Sequence, residues 1–229
     1  MPTAVILCLA NSKKLGGRCA AGLRRDGTGW VRMVSKLQYG ILNAAHLFLN
    51  TGNEAALLDV LEIGLTKPKP AIHQPENWLL DGSVWKLHAK QDVQDWVAIL
   101  RKAVVPGPDL LRGCADRVSY AELQEKQADA SLALIAPQTL ELLLIKKPEG
   151  KHQVRGRFWL GNQTQTCEYN LSMTDPIWEK RVLQEGNQRL SQADRKFLVT
   201  VSLGEPFHDY CYKVIAAIIH VPRALAELI

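Results

Sequence analysis

Short apolar runs broken by glycine, proline and charged turns dominate this chain and predict strands rather than long helices. Ala4-Val5-Ile6-Leu7-Cys8-Leu9 is continuously apolar up to Asn11 and Ser12, which suits a buried strand. A Gly16-Gly17 turn leads to Cys19–Leu23, and Arg24-Arg25-Asp26-Gly27-Thr28-Gly29 leads to Trp30–Val34. Asp-Gly between two such runs favours a hairpin, because glycine accepts the positive φ of the turn. The result is a three-stranded meander with basic loops. Within its third strand Trp30, Arg32 and Val34 alternate onto one face, with Val31, Met33 and Ser35 on the other.

Residues 36–56 read as a less regular, partly helical insertion. Leu57–Leu65 is a further strand, carrying Asp59 and Glu62, and it runs out in Lys67-Pro68-Lys69-Pro70. The loop Ile72-His73-Gln74-Pro75-Glu76-Asn77-Trp78 gathers polar and aromatic side chains in a composition common at binding sites. Ser83–Leu87 suits a short strand, and Val93, Trp96, Val97 and Leu100 fall at i, i+3, i+4 and i+7, the stripe of an amphipathic helix. Ser119 with Glu122 has capping-box spacing and predicts a short helix to Glu125.

Beyond a linker at Lys126–Asp129 a second series begins: 131–135, 140–147, 154–160, 166–173, 197–203 and 212–219. Arg155, Arg157 and Trp159 alternate on one face of its third run, repeating the basic and aromatic mixture of the first half. Gly161-Asn162 supplies a hairpin turn, and Asp175-Pro176 opens a helix over 176–184. Strict strand–helix alternation is absent, so the pattern fits a mainly β protein with a few short helices and two tandem small OB-like (Greek-key) barrels, an SH3-like barrel being the alternative. The expected domains are residues 1–126, a first barrel with helical insertions, and residues 127–229, a second barrel.

Composition agrees with a folded chain: 229 residues, 47% hydrophobic and 22% charged. The longest apolar run, 214–219, is far too short to span a bilayer, and the N-terminus lacks the basic region of a signal peptide. A cytoplasmic protein without membrane association is expected. The five cysteines are scattered and make neither a disulfide framework nor a zinc site, so they read as structural thiols; the six histidines show no metal-binding spacing. No metal is implied. The net charge of +5 is unevenly distributed: residues 1–115 hold 14 basic and 9 acidic side chains, the remainder 14 of each. Lys13, Lys14, Arg18, Arg24, Arg25, Arg32 and Lys36 face only Asp26, a patch able to neutralise several phosphates. Loop solubility is the alternative role for those charges.

The first half carries Leu7-Cys8-Leu9-Ala10-Asn11-Ser12-Lys13-Lys14, Gly17-Arg18-Cys19, Gly29-Trp30-Val31-Arg32, Leu58-Asp59-Val60, Gln74-Pro75-Glu76-Asn77-Trp78 and Asp116-Arg117-Val118-Ser119. The second half carries Ser131–Ile135, Tyr169-Asn170-Leu171-Ser172, Thr174-Asp175-Pro176, Val201–Phe207 and Cys211-Tyr212-Lys213. Together, in this order, these blocks resemble the dual OB-domain family of prokaryotic proteins. The resemblance implies two tandem OB folds associated with nucleic acid or its modification, and brings no settled enzymatic activity. The chain departs from the family pattern in its longer insertion at 36–56 and at Met33, where proline is common.

OB barrels hold single strands on a concave sheet face, with aromatic rings stacking on bases and basic loops following phosphates. Lys13, Lys14, Arg18, Trp30 and Arg32 would serve in the first barrel, and Arg155, Arg157, Trp159 and Lys213 in the second. An enzyme reading draws on Asn11, Asp59, Glu62, His73, Glu76, Asn77, Asp116, Arg117, Asn170, Asp175 and Lys213, whose carboxylates near a lysine could hold Mg²⁺ against a phosphodiester. No nuclease, kinase or glycosylase spacing, P-loop or GxGxxG accompanies them, and local ion pairing for Asp116 with Arg117 and helix capping for Asp175 are the structural alternatives. Cys19 beside Arg18 could be an activated thiol or a buried strand cysteine. A protein-interaction adaptor is the third class, and the expected partner is nucleic acid, with no tightly held cofactor.

Overall fold

The computed structural model describes residues 2–88 and 94–222. The meander forms as β1 (Thr3–Lys14), β2 (Gly17–Arg24) and β3 (Trp30–Val34), followed by β4 (Val60–Pro68) and β5 (Asn77–Leu80). Their order is β1-β2-β3-β5-β4, and β4 pairs back onto β1 to close a five-stranded barrel, with β6 (Lys86–Leu87) added beside β4. Only β3–β5 is parallel. Strand β1 serves two neighbours, pairing with β4 over Thr3–Leu7 and with β2 over Ile6–Lys14, and its register shifts between Cys8 and Ala10. A bulge there bends the strand around the barrel. At Gly22 a Cβ would stand 2.3 Å from the Leu7 carbonyl, so the β1–β2 approach requires a glycine.

The insertion holds a 3₁₀ turn at Gln38–Gly40 and the short α1 (Ala44–Leu47), capped reciprocally by Asn43 and His46. The amphipathic helix is α2 (Gln94–Ala103), with Trp96, Val97 and Leu100 buried as expected; Val93 lies outside the described residues. β7 (Arg117–Ser119) leads into α3 (Tyr120–Glu125). The capping box expected there does not form: Ser119 precedes the helix, but its hydroxyl makes no cap hydrogen bond.

The second half contains β8 (Leu132–Ile135), β9 (Thr139–Lys146), β10 (His152–Gly161), β11 (Thr166–Met173), α4 (Pro176–Glu185), β12 (Gln188–Ser191), β13 (Phe197–Phe207) and β14 (Tyr210–His220). Their order is β12-β9-β10-β11-β14-β13-β8, with β7 also on β14. This repeats the first barrel. β8 pairs with β13 while β9 pairs with β10, just as the two ends of β1 pair with β4 and β2. Pro137, which offers no backbone donor, separates the two halves of that first strand. β11 and β14 are parallel, as are β3 and β5.

Each barrel has its own core: Ile6, Cys8, Val31, Met33, Leu61 and Ile63 in the first, Leu140, Leu142, Phe158, Tyr169, Val199 and Ile215 in the second. A third apolar layer lies between them, where Leu7 and Leu9 of β1 meet Leu134, Leu198, Ala217 and Ile219, with α2 contributing Trp96 and Leu100. Ala10, Ala21, Leu132 and Ala216 form a neighbouring contact in which small side chains allow the sheets to approach closely. The run Ala4–Leu9 is therefore continuous because β1 is buried on both faces. Inter-barrel hydrogen bonds reinforce the layer: the Thr200 hydroxyl donates to the Leu9 carbonyl at 2.6 Å, and the Lys13 amide to that of Thr174 at 2.8 Å.

Candidate functional site

The two barrels dispose of their equivalent faces in opposite ways. In the first, the outer face of β2–β3 is covered by the second barrel, and Arg32, expected to reach a ligand, is only 2% exposed. Its guanidinium donates to Ser131 Oγ at 2.8 Å, to Ser202 Oγ at 3.2 Å and to Cys19 Sγ at 3.2 Å. The Ser131 hydroxyl in turn donates to Glu76 at 2.6 Å, and the same carboxylate accepts the Ser131 and Leu132 amides. Arg32 is thus an interior cation linked to Glu76 through a serine. Cys19 is buried against this guanidinium and not that of Arg18.

The remaining first-barrel candidates are also engaged. Arg18 pairs with Glu54 at 3.2 Å and donates to Asn11, which bridges to the Ala55 carbonyl. Lys13 is paired with Glu179 of α4, and Lys14 with Glu205 at 2.7 Å. Trp30 is half-buried in an apolar groove of 320 Å³ between the β2–β3 hairpin and α2. Asp59 ties its own turn through the Ala56 amide, and Glu62 pairs with Lys86 and His88. His73 shares Glu205 with Lys14, and Asn77 donates to Gln74. Asn11, Asp59 and Glu62 are held in separate local contacts, whereas His73 and Asn77 line one cavity of 240 Å³ together with Gln74 and Glu205.

Two second-half candidates are interior as well. Asp175 caps α4 as expected, accepting the Ile177 and Trp178 amides, and also accepts the Ile218 amide; burial pushes its carboxyl pKa up against these bonds. Lys213, only 1% exposed, donates to the Gly113 and Ala115 carbonyls at 2.7 Å each. Burial lowers its pKa to about 8 despite nearby Asp116 and Asp109. A base held below its unfolded value binds its proton less tightly when folded, so this group adds stability as pH rises from about 8 towards 10.5. Unfolding measured across that window should show a smaller rise for Lys213→Met than for the wild type.

The loop that Lys213 clamps holds a further correction: Cys114 is joined to Cys167, across 53 residues, whereas Cys8, Cys19 and Cys211 are the buried structural thiols expected of all five. Burial drives the Cys8 pKa up to about 12 and that of Cys211 to about 11. Asp109 lies beside the joined pair.

The β10–β11 face is the open one. Val154, Gly156, Phe158 and Leu160 point into the barrel, while Arg155, Arg157 and Trp159 point outward, Trp159 with 39% exposure. Strand register builds a row across four strands: Arg189 opposite Glu141, Glu141 opposite Arg157, and Arg157 opposite Asn170. Arg157 pairs with Glu141 at 2.6 Å and lies 5.4 Å from the Trp159 ring. Arg155 donates to Asn170 Oδ1 at 2.8 Å and stands 3.9 Å from Asp116. Arg117 covers Tyr210 at 4.6 Å and reaches Tyr212. At one end the β9–β10 turn carries Lys147 and Lys151; the β13–β14 turn is flanked by exposed Phe207 and Tyr210.

Sequence reasoning missed three residues near this face. Arg181, Arg189 and Arg195 come from α4, β12 and the following loop and line one cleft with Trp178 and His220. Equal totals of basic and acidic residues in the second half hid them, since a count by halves does not see a cluster assembled from three elements.

Closed and repeated five-strand order, a first strand shared between two neighbours and a helix between the third and fourth strands of the second unit define a tandem OB-fold protein. The chain belongs to the dual OB-containing domain family, whose sequence model matches residues 5–218. A search of curated proteins found no match. OB-fold domains generally bind nucleic acids. No helix among the described residues is long and apolar enough to cross a membrane.

Proposed function

We propose that the chain binds single-stranded or unpaired nucleic acid on the outer β10–β11 face of its second barrel. OB folds receive oligonucleotides on their second and third strands and on the loops joining strands one to two and four to five. β10–β11 are those strands here, and the flanking turns supply lysines on one side and aromatic rings on the other. The observation that carries the reading is the exposed indole of Trp159 beside Arg157, on a strand whose alternate residues Val154, Gly156, Phe158 and Leu160 are buried. The indole offers a stacking surface. The Arg157–Glu141 pair is solvent-exposed enough for a phosphate to compete for the guanidinium. Arg155 lies on the same face but is held by Asn170 and Asp116, so it orients the surface and is not free to contact a phosphate.

Titration of labelled single- and double-stranded DNA and RNA at two salt concentrations, with and without Mg²⁺, tests this. Binding to single strands should weaken steeply with salt. Trp159→Ala should cost about 1–3 kcal/mol per stacked base, whereas Arg157→Gln should lower the salt slope by about 1. Absence of binding, or variants indistinguishable from wild type, would sink the reading. Mg²⁺-dependent turnover of the oligonucleotide would move it to a phosphodiester-processing enzyme, and inert oligonucleotides to a protein adaptor.

A further inference from the structure

We infer that the cleft between α4, β12 and the loop after β12 is a receptor for a phosphate monoester, such as the terminal phosphate of a strand lying on the neighbouring face. The inference rests on the proposed function only for its choice of a strand as the carrier of that phosphate.

Three arginines, Arg181, Arg189 and Arg195, line this cleft against one acid, Asp194. Arg181 is shared with Glu185 at 2.9 Å and lies over the Trp178 ring at 5.0 Å. Among the described residues neither Arg189 nor Arg195 has a carboxylate within the 4.0 Å of an ion pair. Exposed arginines that outnumber the acids beside them repel one another, and the arrangement becomes more favourable when an anion enters. His220, also in the lining, has a buried Nδ1 with no hydrogen-bond partner. Its ring lies 5.4 Å from Trp178. Burial, then the charges of Arg195 and Arg181, hold its pKa below the usual histidine value.

Planar guanidinium forks match phosphate oxygens two at a time, which lysines would not do. The cleft, with a volume of 190 Å³, has room for one phosphoryl group with some of its hydration. Arg189 belongs to both places. It lines the cleft and is the end of the row Arg189–Glu141–Arg157–Asn170, so a strand on Trp159 that runs across the sheet leads towards this cleft.

The test compares oligonucleotides of about ten nucleotides carrying a 5′-phosphate, a 3′-phosphate or neither, on the full chain and on Arg195→Gln. One phosphorylated end should bind at least about tenfold tighter than the unphosphorylated strand, the worth of one charge-assisted hydrogen bond. Arg195→Gln should erase that advantage and leave the unphosphorylated affinity unchanged; Arg181→Gln, in the cleft but off the strand row, is the second variant with the same expected outcome, and circular dichroism confirms folding of both. A parallel arm measures melting temperature with inorganic phosphate and with pyrophosphate. Stabilisation of wild type and not of Arg195→Gln, with no oligonucleotide bound, would keep the anion site and remove the nucleic-acid reading. Strands bound equally with and without a terminal phosphate, in both proteins, would overturn the inference while leaving that reading intact.

Discussion

Replacing Arg32 by alanine should lower the unfolding free energy by about 3–5 kcal/mol, the usual loss when one partner of a buried charge network is removed. Half-buried Glu76 would still accept from Ser131 and Leu132 but without the cation beyond Ser131, and Ser202 and Cys19 would face a void. The damage falls on the contact between the barrels, because Arg32 belongs to β3 while Ser131 and Ser202 belong to the second half. Lysine should not rescue the site, since one ammonium does not reproduce two separated guanidinium nitrogens. Arg32→Met combined with Glu76→Gln should recover part of the loss by removing both charges, giving a coupling of more than about 0.5 kcal/mol. Denaturant unfolding followed by tryptophan fluorescence measures each variant. A loss under about 1 kcal/mol for Arg32→Ala would show that the relay does not hold the barrels together.

This same residue marks where the sequence stops being readable. Local pattern identifies β3 and the alternation of Trp30, Arg32 and Val34, but which surface covers that face depends on strands about 100 and 170 residues away. The continuous run Ala4–Leu9 announces burial without saying that a second barrel provides it. In β10 the alternation is clean, and Arg155, Arg157 and Trp159 do share the face opposite the buried Val154, Gly156, Phe158 and Leu160, although Arg155 is held there by Asn170 and Asp116. The Asp175-Pro176 signal is local too and gives the cap and helix correctly. Cys114 with Cys167, and the arginine cleft of α4 and β12, unite residues from separate elements. Spacing along the chain carries no mark of either.

Acid should weaken the wild type more than Glu205→Gln, by about 3 kcal/mol between pH 5 and pH 2. Burial alone would raise the Glu205 pKa, but hydrogen bonds from His73 and Lys14, together with their charges, outweigh it and bring the value down to about 2. The carboxyl is therefore more acidic folded than unfolded. Its contribution is complete above the unfolded value of 4.5 and disappears as pH falls towards about 2, when the native state must also take up the proton. Glutamine keeps the shape, can still accept from Lys14 or His73, and has no proton to bind, so its stability should lack this part of the acid slope. Lys14 comes from the end of β1, His73 from the loop before β5 and Glu205 from β13, so the loss should first appear as loosening of the junction between the barrels. Urea midpoints at matched pH values for the two proteins measure the difference. Parallel acid limbs would mean that Glu205 is no more acidic in the folded chain than in the unfolded one, and that the ion pairs across this junction add nothing to its stability.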